Sequence, residues 1–183
     1  MKFVIEHMDP ELWEWSQLEY KNIGKYVGNT NLIITNVKKK DLDKLAYCTA
    51  KTESVAKLGL KRVCILDPGA PQELRPEDKE NFDYLVLGGI LGNDPPEART
   101  KDLVVPGAER RNLGVEQFST DNAAMVALQI IEGTPLEELK FMHDLTIEMD
   151  DGEEIILPFK YLMYKGKPFV SEDILDYVKE HGF

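Results

Sequence analysis

Residues Tyr84–Pro96 read YLVLGGILGNDPP. The run Tyr84–Leu87 is apolar on both faces, which suits a strand buried inside a parallel sheet. It passes directly into Leu87–Pro96. There Gly88, Gly89 and Gly92 let the backbone approach a ligand closely, and Pro95 and Pro96 stiffen the way out. The loop is neither a Gly-x-Gly-x-x-Gly fingerprint nor a P-loop, because no Lys-Ser/Thr pair follows the glycines. A plain structural turn accounts for the same composition. A ligand is favoured by position, since open parallel sheets bind ligands at the carboxyl ends of their strands.

Upstream, Lys2–Glu6, Asn31–Val37 and Arg62–Leu66 share that two-sided apolar character. Helical patterns lie between them. One spans Pro10–Val27, with Asp9 as N-cap and Pro10 at the first helical position. A second spans Asp41–Leu58, with a break near Thr49–Thr52 and Gly59 as its stop. A short helical stretch falls at Pro76–Glu80, and another helix runs through Leu103. Downstream, Arg110–Leu113 is a short fifth strand, and Thr120–Glu132 is a helix capped by Ser119 or Thr120. Strand–helix alternation of this kind predicts an α/β fold, a mostly parallel sheet with helices on both faces. The last residues differ. Leu145–Met149 and Ile155–Leu157 flank an Asp-Asp-Gly turn, Tyr161–Tyr164 and Phe169–Val170 flank Lys-Gly-Lys, and Ser171 caps a final helix through Glu180. The expectation is a single domain over 1–183, with a core at 1–132 and a hairpin-and-helix extension at 133–183.

The chain has 183 residues, 22 Lys and Arg against 33 Asp and Glu, a net charge of −11 and 43% hydrophobic residues. That length and apolar content suit one folded domain rather than disorder. No apolar run reaches the roughly 18 residues of a membrane helix. The opening MKFVIEHMDPELWEW has no signal-peptide core. Cys48 and Cys64 are the two cysteines, so neither a disulfide scaffold nor a cysteine zinc site is expected. The three histidines have no ligand spacing, and no metal is expected. A reducing, cytoplasmic compartment fits. So acidic a chain is a poor partner for free nucleic acid, whose phosphates call for a basic field.

Two further loops leave strand ends with a glycine in place. They are Leu66-Asp67-Pro68-Gly69-Ala70 and the run Asn112–Gln117, which leads into Thr120–Ala124. The helix near Asp121 offers amides to an anion, although ordinary βα turns look the same. At about 100° per residue, Leu12, Ser16, Glu19, Ile23 and Tyr26 share one helix face with Glu19 near its middle. A carboxylate there faces either a cleft or a partner, because burial without one is costly. Glu6 and His7 leave the first strand at its carboxyl end, toward the same cleft. Trp13, Trp15 and Tyr20 suit helix packing better than base stacking. Acidic residues crowd 132–154, against Lys140 alone, a face that would attract a cation.

Three segments together, FVIEHM…EW…LEYKNI (Phe3–Ile23), YLVLGGILGNDPPEART (Tyr84–Thr100) and RRNLGVEQFSTDNAA (Arg110–Ala124), resemble the fungal ribosomal-protein arginine methyltransferase family and its archaeal relatives. Many of those relatives are described as RNA methyltransferases. LPFKYL (Leu157–Leu162) extends the likeness over most of the chain. Asn93 stands where many relatives have Asp, and Phe118 where they have Met. The resemblance implies the SPOUT class, with a deep trefoil knot, a rare exception to unthreaded chains, and S-adenosylmethionine as cofactor. It implies cofactor contacts, largely through backbone, at Leu66, Asp67, Pro68, Leu87, Gly88, Gly89, Gly92, Leu113, Gly114 and Gln117.

An arginine acceptor is cationic and a poor nucleophile. A carboxylate is the group that can grip it, align it and take its proton. Glu19 and Asp94, then Glu6, are the expected acids. The expected activity is methylation of an arginine in a basic, ribosomal protein. RNA methylation and a non-catalytic cofactor-binding or ribosome-binding role are the alternatives. The oligomeric state is left open.

Overall fold

The computed structural model describes residues 1–90, 99–149 and 152–182. Its main sheet is built from β1 (Lys2–His7), β2 (Leu32–Thr35), β3 (Thr49–Ala50), β4 (Val63–Leu66), β5 (Tyr84–Gly89) and β6 (Glu109–Arg111). All six are parallel, in the order β3-β2-β1-β5-β4-β6. Alternate residues supply two cores, as the two-residue strand period requires. Phe3, Ile5, Leu32, Ile34, Leu85 and Leu87 pack toward α1 (Glu14–Val27) and α2 (Thr120–Ile131). Val4, Ile33, Val63, Ile65 and Val86 pack the other way, against Val55, Leu103 and Val105. α1 and α2 therefore lie on one face, and among the described residues short 3₁₀ turns with loop residues cover the other.

Two helical expectations are corrected. The first helix begins at Glu14, not Pro10. Asp9–Glu11 form a bend, in which Pro10's fixed φ is equally at home, and Glu11 ties that bend to Lys38 and Lys40 at 2.5 and 2.9 Å. The stretch Asp41–Leu58 is no continuous helix. It holds 3₁₀ turns at Lys39–Leu45 and Val55–Lys57 on either side of β3. Here a sheet ladder overrides local propensity, because Thr49 and Ala50 pair with Ile33 and Ile34 and Lys51 donates to Ile34 O.

β6 has unusual neighbours. It pairs with β4 on one side, while on the other Asn112 N donates to Gln72 O and Leu74 N to Asn112 O. The chain leading toward α2 is thus bracketed by β4 and by residues 72–74, which follow β4 directly.

The C-terminal part is a second, antiparallel sheet of β7 (Phe141–Glu148), β8 (Glu154–Tyr164) and β9 (Lys167–Pro168), followed by α3 (Glu172–His181). The two strand segments expected at 155–157 and 161–164 are one strand. Pro158 is accommodated where the β7–β8 register slips between His143 and Leu145, because a bulge has no ladder bond for proline to lose. Leu157, Phe159, Tyr161, Ile174 and Val178 close around Trp15. This fastens the extension to α1 and gives Trp15 the packing role its sequence suggests. Among the described residues, no helix is long and apolar enough to cross a membrane.

Candidate functional site

The sheet splits at its carboxyl edge. β4 and β5 pair as far as Ile65–Val86. From there β5 continues with β1 to Gly89, while β4 turns to β6 through Leu66–Arg111. In a parallel strand both polar groups of one residue point to the same neighbour, and successive residues alternate. Gly89 O accepts from Met8 N, on the β1 side, so Gly88 turns its N–H and C=O toward the split. A side chain at Gly88 would meet Ile90 and Met8 at 3.0 and 3.2 Å, and one at Gly89 would run into the Tyr20 hydroxyl. The crevice beside β5 is therefore backbone-lined.

The loops at 66–70 and 113–117 and the described start of the glycine-rich one, 87–90, lie beside this split. Leu66, Leu87 and Leu113 are buried in one apolar cluster. Asp67 accepts from Gly69 N at 2.9 Å and from Arg110 Nη1 at 2.5 Å, so its carboxylate shapes its own loop, and Pro68 is exposed. Asn112 locks the first loop to the third, donating to Ala70 O at 2.8 Å and accepting from Gly114 N at 2.9 Å. Gly114 has φ +92°, a left-handed backbone that glycine adopts without strain. Gln117 O accepts from Lys160 N at 3.0 Å. An apolar floor with free backbone groups at strand ends suits a nucleoside-type cofactor, whose heterocycle needs both. Gly92 and Asp94 lie outside the described residues.

Glu19 is 3% exposed and reaches this rim from α1. Its Oε1 accepts from Thr120 N at 3.2 Å, so it caps α2, where a carboxyl group is favourable. The Ser119 side chain does not bond a helix amide; it donates to Asp121 at 2.7 Å. Asp121 also accepts from Asn22 Nδ2 and Asn122 N, each at 2.8 Å. Burial, then the neighbouring Asp121, pushes the Glu19 carboxyl well above the usual range, and burial raises Asp121 against its several donors. Two buried acids side by side resist holding two charges. The stronger upward push falls on Glu19, while Asp121 has more donors to offset its burial. The helix face differs a little from expectation, since Leu12 precedes α1 and Tyr26 is 44% exposed.

Glu6 and His7 do not share a cleft, because adjacent strand residues face opposite ways. Glu6 lies on the Val4 side, accepting from Thr35 Oγ1 at 2.5 Å and Val55 N at 2.8 Å. His7 lies on the α1 side with its Nδ1 2.9 Å from the Tyr20 hydroxyl, and burial lowers its pKa. Three site residues escaped the sequence reading as participants: Asp121 as the partner of Glu19, and Asn122 and Lys160. Asn122 donates to Phe169 O and accepts from Leu162 N, both at 2.9 Å. Their signal was present in the segments that carried the family likeness, but their contacts span about 40 to 100 residues of sequence. Among the described residues no group of three His, Cys, Asp or Glu is arranged to hold a metal.

A parallel sheet that splits between β4 and β5 at its carboxyl edge is the architecture this chain shares with methyltransferases of the SPOUT type. Trm10 of Thermococcus kodakaraensis, described as dual specific, shares that fold at a TM-score of 0.60 and 15% identity, over 75% of this chain and 95% of that one. Residues 2–182 match the family of SFM1-like protein arginine N-methyltransferases. Protein arginine N-methyltransferase SFM1 of Saccharomyces cerevisiae is 35% identical, over 98% of this chain and 95% of that protein. The crystal structure of the yeast enzyme with SAH has a TM-score of 0.88 at 37% identity, over 97% of this chain and 94% of that one. The one with SAM also scores 0.88, at 34% identity, over 99% and 91%. The chain belongs to the SFM1-like family of protein arginine N-methyltransferases.

Proposed function

We propose that this chain binds S-adenosylmethionine in the crevice between β4 and β5 and methylates an arginine of a basic protein. The observation that carries this reading is the freed edge at Gly88, framed by loops 66–70, 87–90 and 113–120, in a chain of the SFM1-like family. When bound, the cofactor supplies an electrophilic methyl group. The protein supplies position and charge. Gly88 offers backbone groups, Leu66, Leu87 and Leu113 an apolar wall, and Gly114 the turn that lets its loop close. Gly92 completes the cofactor set, as the resemblance implies.

Asp94 grips the guanidinium. The buried Glu19–Asp121 pair, whose carboxyl groups are both raised by burial, takes up the proton that the acceptor nitrogen gives up on methylation. Glu6, already committed to Thr35 and Val55, holds the β1 end in place.

A protein substrate is supported by charge. The net charge is −11, and Glu137, Glu138, Asp144, Glu148 and Glu154 are exposed on or beside the β7–β8 hairpin. A basic ribosomal protein suits such a face. The basic run that RNA would require is largely neutralised internally, with Lys38 and Lys40 on Glu11 and Lys44 on Asp41 at 2.7 Å. Free Cys48 and Cys64 suit a reducing, cytoplasmic compartment. The test is transfer of labelled methyl from S-adenosylmethionine into a cell extract, split between protease and nuclease. Protease should destroy the labelled species. Label lost to nuclease instead would overturn the protein acceptor.

A further inference from the structure

The third cofactor loop is gripped from outside the parallel core, by Lys160 on β8. Lys160 N donates to Gln117 O at 3.0 Å, and its Nζ donates to Glu116 Oε2 at 2.5 Å. The same ammonium lies 4.2 Å from the Phe141 ring centroid and 5.5 Å from that of Phe118. Only 14% of the Lys160 side chain is exposed, against 46% for Glu116. His143 on β7 approaches the other Glu116 oxygen at 3.4 Å. The lysine thus occupies a cage of two aromatic faces and one carboxylate, a setting that holds a cation strongly when water is kept away. Its backbone is free to reach Gln117 because the β7–β8 register slips just past His143–Lys160. Two residues further along β8, Leu162 N donates to Asn122. Glu19 supports the end of the same loop from the opposite side, through Thr120 N.

We propose that Lys160 is a positioning residue for cofactor binding, holding the Leu113–Thr120 loop in its cofactor-binding shape through Glu116 and Gln117. The inference rests on the cofactor reading above. It gives the C-terminal sheet a task in the reaction, as the outer jaw of the cofactor site. Loss of the ammonium frees Glu116 and loosens the loop. The cost falls on cofactor binding, because the loop must then be ordered by the ligand itself. Chemistry in the filled site proceeds as before.

The experiment compares wild type, Lys160→Met, Lys160→Arg and Glu116→Gln, each checked for native circular dichroism. Calorimetry gives SAH affinity, and steady-state assays separate KM for S-adenosylmethionine from kcat. Lys160→Met and Glu116→Gln should weaken SAH tenfold or more and raise KM to match, with kcat at saturation within about twofold of wild type. Lys160→Arg should restore most of the affinity, because it keeps both the charge and the stacking. A folded Lys160→Met or Glu116→Gln with wild-type affinity would overturn the role of Lys160 while leaving the cofactor reading intact. So would a fall in kcat at unchanged KM. A wild-type protein that ignores SAH would overturn both.

Discussion

Glu6 and Glu19 are both buried acids near the carboxyl edge of the parallel sheet, 5% and 3% exposed, yet their surroundings have opposite consequences. Glu6 meets a hydroxyl and an amide donor, on the sheet face away from α1 and α2. Glu19 meets the amide of Thr120 at the start of α2 and shares its burial with a second acid. Burial alone does not mark a working carboxyl group. Glu19 has donors too, from Trp15 and Thr120; what sets it apart is the second acid beside it, which adds to the upward push of burial on its carboxyl group.

The largest expected effect separates the two. Glu19→Ala should lower kcat by about 100-fold or more, the usual worth of a proton-transfer group, with SAH affinity kept within a few-fold. Glu6→Ala should leave the turnover of folded protein near wild type. Its cost is in stability, about 2–3 kcal/mol in denaturant melts, because Val55 N–H and the Thr35 hydroxyl lose a buried acceptor. If both variants lost turnover alike, the distinction would be void.

A smaller effect sharpens the contrast through pH. Glu19 and Asp121 have carboxyl groups raised on folding. The folded protein therefore holds protons that the unfolded chain has released, and their contribution to stability is complete below the unfolded carboxyl range, near pH 4. It is lost as pH climbs through their raised values. Melts from pH 5 to 8 should show this decline, and Glu19→Gln should flatten it. A slope equal to wild type would mean that the pair does not titrate as argued. The smallest effect belongs to the surface. Lys21→Ala, which breaks an exposed ion pair with Asp173 at 3.2 Å, should cost under about 1 kcal/mol and leave turnover alone.

The parallel sheet was legible because its strands are apolar on both faces: Phe3–Ile5, Ile33–Ile34 and Leu85–Leu87 can only be buried between layers. The three loops were legible because glycines follow those runs. Glu19 was legible because an acid in an apolar helix stripe violates the pattern. Less could be read where tertiary pairing decides. Thr49 and Ala50 sit in a helical-looking stretch but are claimed by β2, and Pro10 suits a bend as well as a helix start. The partners of Glu19 and Gln117 were hidden for the same reason. Asp121 and Lys160 reach them from about 100 and 43 positions away in the chain, and no local pattern encodes such a contact.

The most direct test of the cofactor site is a crystal structure of this protein with SAH. Density for the ligand should lie between Leu66, Gly88 and Leu113, on the backbone edge that β4 leaves free. Ligand density at another edge of the sheet, or a site that stays empty at saturating SAH, would contradict the account.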